Sequence, residues 1–184
     1  ELKRKYPINE NFFDVIDTQE KAYILGLLYA DGCNSTNRNS VNLTLKNTDI
    51  SILNTITDLI QPTKPIMKIN RKCGSVFCCI LISNKHISRK LNDLGVIKAK
   101  TFNITFPNET QVPKEMQRHF IRGYFDGDGS VYLIKPYGRM KNPAIACSII
   151  GNHEFMKILK EKLGFNQDKN LRKDKRLSVD IRTL

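Results

Sequence analysis

One nine-residue pattern occurs twice and governs what this chain can fold into. The first copy is Ile24-Leu25-Gly26-Leu27-Leu28-Tyr29-Ala30-Asp31-Gly32, and the second is Ile121-Arg122-Gly123-Tyr124-Phe125-Asp126-Gly127-Asp128-Gly129. From position 31 to position 128 is 97 residues in a chain of 184, about one half-length. The chain therefore reads as an internal duplication, with one copy opening each half. Helical spacing places Gly26 with Ala30, and Gly123 with Gly127, on one helix face. Glycine inside a helix costs about 1 kcal/mol against alanine, so its repeated use predicts close approach of backbone to backbone. The two helices are expected to pack through these small residues and to end with Asp31 and Asp128 side by side. Adjacent carboxylates resist ionising together. A divalent cation relieves that repulsion, and Mg²⁺ takes carboxylate oxygens.

The stretches from Leu25 to Gly32 and from Arg122 to Gly129 resemble the paired motifs of the LAGLIDADG (dodecapeptide, DOD-type) homing endonucleases, and their spacing resembles that of a single-chain member with two repeats. The resemblance implies an α+β fold: two pseudo-twofold related αββαββα repeats forming a saddle, with antiparallel sheets facing DNA. It implies a site-specific endonuclease that makes a staggered double-strand break in a long asymmetric target by Mg²⁺-dependent phosphodiester hydrolysis. Asp31 and Asp128 are then both catalytic residues and metal ligands, each serving one strand. Two or more Mg²⁺ ions are shared by the pair, and Mn²⁺ or Ca²⁺ can occupy the site. Family members often place a Lys or Gln near the acids. Lys46, at the end of a predicted strand, is the candidate here, whereas its counterpart falls near Gly151, which is not basic. Asp126 lies about 200° round the helix from Asp128 and is not counted as a ligand. The alternatives on the same fold are an RNA maturase, with intron RNA as partner, and a non-cleaving DNA-binding protein. Retention of both acids speaks against the second and leaves the first open. The fold also occurs inside inteins; no splicing-type Cys or Ser opens the chain and no His-Asn closes it, which leaves open an excised central domain of an intein.

Charge agrees with a polyanionic partner: Lys and Arg number 30 against 18 Asp and Glu, a formal +12. The longest apolar run, Ala22–Ala30, falls short of the roughly 20 residues that cross a bilayer. No secretory signal is read, so an intracellular location (cytoplasm, nucleoid or organelle matrix) without a membrane partner is expected. Five cysteines, Cys33, Cys73, Cys78, Cys79 and Cys147, show no CxxC spacing. That argues against a zinc site and a disulfide framework, and for buried small hydrophobes in a reducing compartment. His86, His119 and His153 are scattered and form no catalytic pattern. Because one chain supplies both halves of the site, a monomer is expected.

Taken in order, residues 1–16 are a lead-in in which Phe12, Phe13, Val15 and Ile16 pack on the body. The first repeat spans 17–95, a connector spans 96–112, and the second repeat spans 113–184. Asp17, with Glu20 three places on, predicts the start of the first motif helix. Residues 40–46 alternate Val41, Leu43 and Leu45 against Asn42, Thr44 and Lys46, a strand with one dry and one wet face. Thr48 is expected to cap a helix reaching Ile60, with Pro62 and Pro65 behind it. Strands follow over 66–71 and 76–83, and then a helix capped by Asn84 and ended by Gly95. Pro113 suits the first turn of the second motif helix, which is expected to bury Met116, Phe120, Ile121, Tyr124 and Phe125. The second half repeats the order: strands over 130–135 and 144–150, a helix capped by Asn152 and ended by Gly164, and a last hairpin about Arg172–Arg176. The counterpart of the helix over 84–94 would begin at Leu184, so a missing last helix and an exposed face of the second sheet are expected.

A two-stranded ribbon fits the major groove. The wet-face candidates for DNA contact are Asn34, Thr36, Arg38, Asn42, Thr44, Lys46, Lys68, Asn70 and Lys72 in the first half, and Tyr132, Arg139, Ser148, Arg172, Lys173, Arg176 and Arg182 in the second. The halves differ at these positions, which predicts an asymmetric site. A one-residue slip in register would turn any of these strands over.

Overall fold

The computed structural model describes residues 4–98, 103–136 and 142–165, together with the backbone of 171–173 and 179–181. The first motif helix, α1 (Gln19–Ala30), is buried at nearly every position from Ala22 onward. A helix apolar all round belongs in the middle of a fold. Its N-cap is Thr18, whose side chain accepts the Lys21 amide. Asp17, one residue too early to reach that amide, instead binds the Lys21 ammonium at 2.7 Å. Of the lead-in residues, Phe12, Phe13 and Ile16 enter the core while Val15 stays exposed.

Four strands follow: β1 (Gly32–Ser35), β2 (Ser40–Lys46), β3 (Met67–Asn70) and β4 (Val76–Ser83), in the order β1-β2-β4-β3 and antiparallel throughout. Val41, Leu43 and Leu45 face the core, as their alternation predicts. Helix α2 (Ile50–Ile60) packs on β2 and β4. Thr48 does not cap it, because a short 3-10 turn, Asn47–Asp49, intervenes. Helix α3 (Lys85–Asp93) is capped by Asn84, whose side chain accepts the Ile87 amide, and lies over β1 and β2.

The second motif helix, α4 (Gln117–Asp128), starts a turn later than expected. Pro113 lies before it, its carbonyl accepting from the Met116 and Gln117 amides. Phe120 and Tyr124 are buried, while Met116, Ile121 and Phe125 are only partly so. Strands β5 (Gly129–Ile134) and β6 (Ala144–Gly151), helix α5 (His153–Lys162), and strands β7 (Leu171–Lys173) and β8 (Val179–Ile181) complete the described elements. Asn152 caps α5 through the Phe155 amide, and Gly164 takes a positive φ behind it. The second sheet runs β5-β6-β8-β7, the order of the first. Arg172 and Lys173 fall in strand β7 rather than in the turn of the hairpin.

The halves meet through α1 and α4. A methyl on Gly26 would overlap the Phe120 carbonyl oxygen and lie 2.8 Å from the Tyr124 nitrogen. One on Gly123 would overlap the Tyr23 carbonyl oxygen and lie 3.0 Å from the Leu27 nitrogen. Positions 26 and 123, 23 and 120, and 27 and 124 are equivalent in the two repeats, so each contact is the other turned through a twofold axis. An aromatic cluster then ties the repeats to the connector: Tyr29 meets Phe120 edge-on at 4.9 Å, and Phe106 meets Phe120 at 5.5 Å.

Candidate active site

Asp31 is the C-cap of α1, its amide bonded back to the Leu27 and Leu28 carbonyls. Asp128 is the last residue of α4. A methyl on Gly127 would meet the Ala30 methyl and lie 3.0 Å from Asp31 Oδ2, so the Asp31 carboxylate sits over the end of α4, one residue from Asp128. The glycines that follow each acid are forced by space. A side chain at Gly32 would press on the Leu28 carbonyl oxygen, and one at Gly129 on that of Phe125. Each repeat thus turns into its sheet directly under its own helix.

Both carboxylates stand at helix C-termini, where the backbone already carries negative partial charge. Two acids added there favour a cation strongly. An all-oxygen donor set of two carboxylates fits Mg²⁺, Mn²⁺ or Ca²⁺, with the remaining positions left to phosphate oxygens and water. Among the described residues no cluster of three or more His, Cys, Asp or Glu competes as a metal centre. The Tyr124 hydroxyl donates to the Ile150 carbonyl at 2.9 Å. Burial first, and the Asp128 carboxylate beside it second, push its ionisation well above the usual phenol range. It is therefore a neutral donor held against one acid. The pattern Gly123-Tyr124 carried that signal only through its place one helical turn before Asp128. Asp126 does point elsewhere: Oδ2 accepts the Tyr23 hydroxyl at 2.8 Å across the helix pair, and Arg122 lies 4.9 Å over the Tyr23 ring. Burial and the Asp126 carboxylate push Tyr23 up to about 12.

Lys46 is exposed at the end of β2. Gly32 opens β1 opposite Leu43, so Lys46, three residues further along, lies past the start of β1 at the Asp31 end of the sheet. The same register in the second sheet, Gly129 opposite Ile149, assigns its counterpart to Asn152. That side chain is occupied in capping α5 and donating to the Ile104 carbonyl at 2.6 Å. No basic residue takes the equivalent place.

Asn42, Thr44 and Lys46 share the open face of the first sheet, away from the core. Thr36 and Arg38 are exposed in the turn between β1 and β2, and Lys72 in the turn before β4. Asn34 is a correction. It is 0% exposed, donates to the Ser88 and Val96 carbonyls at 2.8 and 2.9 Å, and accepts from the Ser88 hydroxyl at 2.7 Å. It anchors α3 and cannot meet DNA. Cys33, paired with Asn42, holds the open-face place instead. Lys68 and Asn70 are exposed but pair with Cys78 and Val76, on the face opposite to Asn42, Thr44 and Lys46. The open-face residues of β3 are Met67 and Ile69. Arg71 continues that face, its guanidinium 4.2 Å over the Phe77 ring. Only strand register, which the sequence does not show, separates it from Lys72.

In the second sheet Tyr132 is exposed on the face it shares with Ser130 and Ser148. Ser148 is nearly buried and its hydroxyl bonds that of Ser130 at 2.7 Å, so it is not open for a base edge. Arg139, Arg176 and Arg182, and the side chains of Arg172 and Lys173, lie outside the described residues. The cysteines are free thiols, and only Cys78 and Cys79 are buried; Cys33 and Cys73 are exposed and Cys147 is intermediate.

Two halves joined glycine-to-carbonyl about a pseudo-twofold axis, with an acid ending each helix, give the chain the fold of the LAGLIDADG homing endonucleases in a two-repeat form. Residues 115–180 match the family model described as a LAGLIDADG-like domain. The LAGLIDADG meganuclease I-CpaMI, solved bound to uncleaved DNA, matches with a TM-score of 0.58 at 12% identity, over 89% of this chain and 79% of its own. The I-SmaMI homing endonuclease, solved bound to cleaved DNA, matches with a TM-score of 0.55 at 13% identity, over 88% and 76%. A DNA polymerase of Acanthamoeba polyphaga mimivirus is 28% identical over 185 residues, which is 95% of this chain and 10% of the polymerase. The chain thus spans about a tenth of the length of that curated relative.

Proposed function

We propose that the protein is a site-specific DNA endonuclease that makes a staggered double-strand break in a long, asymmetric duplex site, acting as a monomer with divalent metal. The observation that carries this reading is the Asp31 carboxylate lying over the end of α4, one residue from Asp128, on the axis that relates the two sheets. A duplex lying on the open sheet faces would present one phosphodiester of each strand to that axis. Asp31 and Asp128 would hold the cations. When bound, such ions polarise the scissile phosphate and make a water molecule acidic enough to attack it. The carboxylates themselves fix where that charge sits. Tyr124, kept protonated beside Asp128, adds no negative charge to that side. Lys46 offers positive charge to the phosphate on the first-repeat side only. The two strands should therefore be cut at unequal rates.

Solved relatives in complex with DNA support duplex DNA as the partner. Both acids are present, which favours cleavage over binding alone. The match to a tenth of a DNA polymerase favours a second point, that a domain of this kind can be carried inside a larger host protein, as in an intein. The test is digestion of a randomised duplex library with Mg²⁺. Cut ends of one sequence with a short overhang are expected, abolished by EDTA and restored by Mn²⁺. Enrichment of bound but uncut duplex under Mg²⁺ would replace cleavage by binding alone, and selection of RNA over duplex DNA would favour the maturase.

A further inference from the structure

We propose, resting on the endonuclease reading above, that β3 and the turn after it form a base-reading edge, in which Arg71 reads a guanine and Met67 and Ile69 read thymine methyl groups in the major groove. Lys46 lies opposite Phe77, and Phe77 opposite Ile69, so the three form one row across β2, β4 and β3 on the open face. Thr44, Cys79 and Met67 form the next row. Arg71 closes the strand pair, its amide bonded to the Ser75 carbonyl at 3.0 Å, and its guanidinium lies over the half-buried Phe77 ring, 4.2 Å from the centroid. An arginine stacked on an aromatic ring keeps its in-plane N–H donors directed outward and loses little freedom on binding. That flat fork matches the O6 and N7 acceptors of guanine.

Beside it, Met67 and Ile69 are 46% and 42% exposed, large apolar groups displayed between cations. The apolar feature in a major groove is the thymine methyl. Residues two apart on a strand are about 6.7 Å apart, close to two base-pair steps of about 3.4 Å. Met67, Ile69 and Arg71 would thus sample alternate base pairs on one side of the cut. Lys68 and Asn70, on the opposite face, would contribute nothing to the choice of base.

The experiment is selection of a randomised duplex library, with Ca²⁺ in place of Mg²⁺, by the wild type, by Arg71→Lys, and by Met67→Ser with Ile69→Ser. The wild-type motif should carry a guanine preferred roughly tenfold to hundredfold and a thymine about two base pairs away. Arg71→Lys should flatten the guanine column while the salt dependence of binding stays as it was, because the charge remains. The double serine variant should flatten only the thymine column. All three positions are partly or fully exposed, so unchanged thermal melts are expected and control for folding. An unaltered motif in both variants overturns the assignment. So does a fall in affinity and salt slope with the motif intact in Arg71→Lys, which would make Arg71 a phosphate contact. A wild type that enriches no duplex at all overturns this proposal together with the endonuclease reading.

Discussion

A single methyl group tests how the halves are joined. Gly26→Ala gains about 1 kcal/mol of helix propensity, but its methyl meets the Phe120 carbonyl oxygen, a backbone atom that cannot rotate away. Overpacking of this kind costs about 1–3 kcal/mol, and more when the neighbour is fixed. The net expectation is a loss of about 2 kcal/mol, read as a lower urea midpoint at unchanged slope. Gly123→Ala should cost a similar amount, since its contact with the Tyr23 carbonyl is the twofold-related one. A stabilised Gly26→Ala protein would show that α1 and α4 do not touch there. These glycines were legible because glycine inside a helix needs a reason. Asn34 was not. The four residues of β1 are small or polar and carry no apolar alternation, so only the pairing with β2, Cys33 opposite Asn42 and Asn34 opposite Val41, sets which way they face. The partner that holds Asn34, Ser88, lies 54 positions away.

At the scale of elements, the two sheets share strand order but differ in cover. Helix α3 lies over β1 and β2, where Asn34 and Val41 are buried. The corresponding side of the second sheet leaves Val131, Leu133 and Ile145 exposed at 61%, 66% and 69%. Val131→Thr and Ile145→Thr should leave the melting temperature nearly unchanged. Val41→Thr, at a site only 1% exposed, puts an unmatched hydroxyl into the core and should cost about 1–3 kcal/mol. Equal effects at Val41 and Val131 would show that the second face is covered after all. Strand β2 follows from alternation, β4 from its continuous apolar run, and the caps at Asn84 and Asn152 from capping chemistry. Strand β3 does not. All four of its residues are exposed, so burial leaves its facing open and only its pairing with β4 turns Lys68 and Asn70 away from the open face.

For the whole molecule, duplication is what makes a site from one chain. Each repeat contributes one acid at a helix end, and the axis between the helices brings them together, while unlike residues on the two sheets make the two halves chemically unequal. Lys46 on one side and Asn152 on the other extend that asymmetry to the neighbourhood of the acids. The measurement that tests the central claim most directly compares Asp31→Asn and Asp128→Asn with the wild type on the selected duplex, following both DNA strands with separate end labels in Mg²⁺. Removing one of two like charges should not lower stability, so both variants should fold and bind. Each should lose double-strand cleavage by at least about a hundredfold, as expected when a residue central to phosphate charge stabilisation is removed. Either variant cutting both strands at the wild-type rate would contradict the assignment of a shared carboxylate pair.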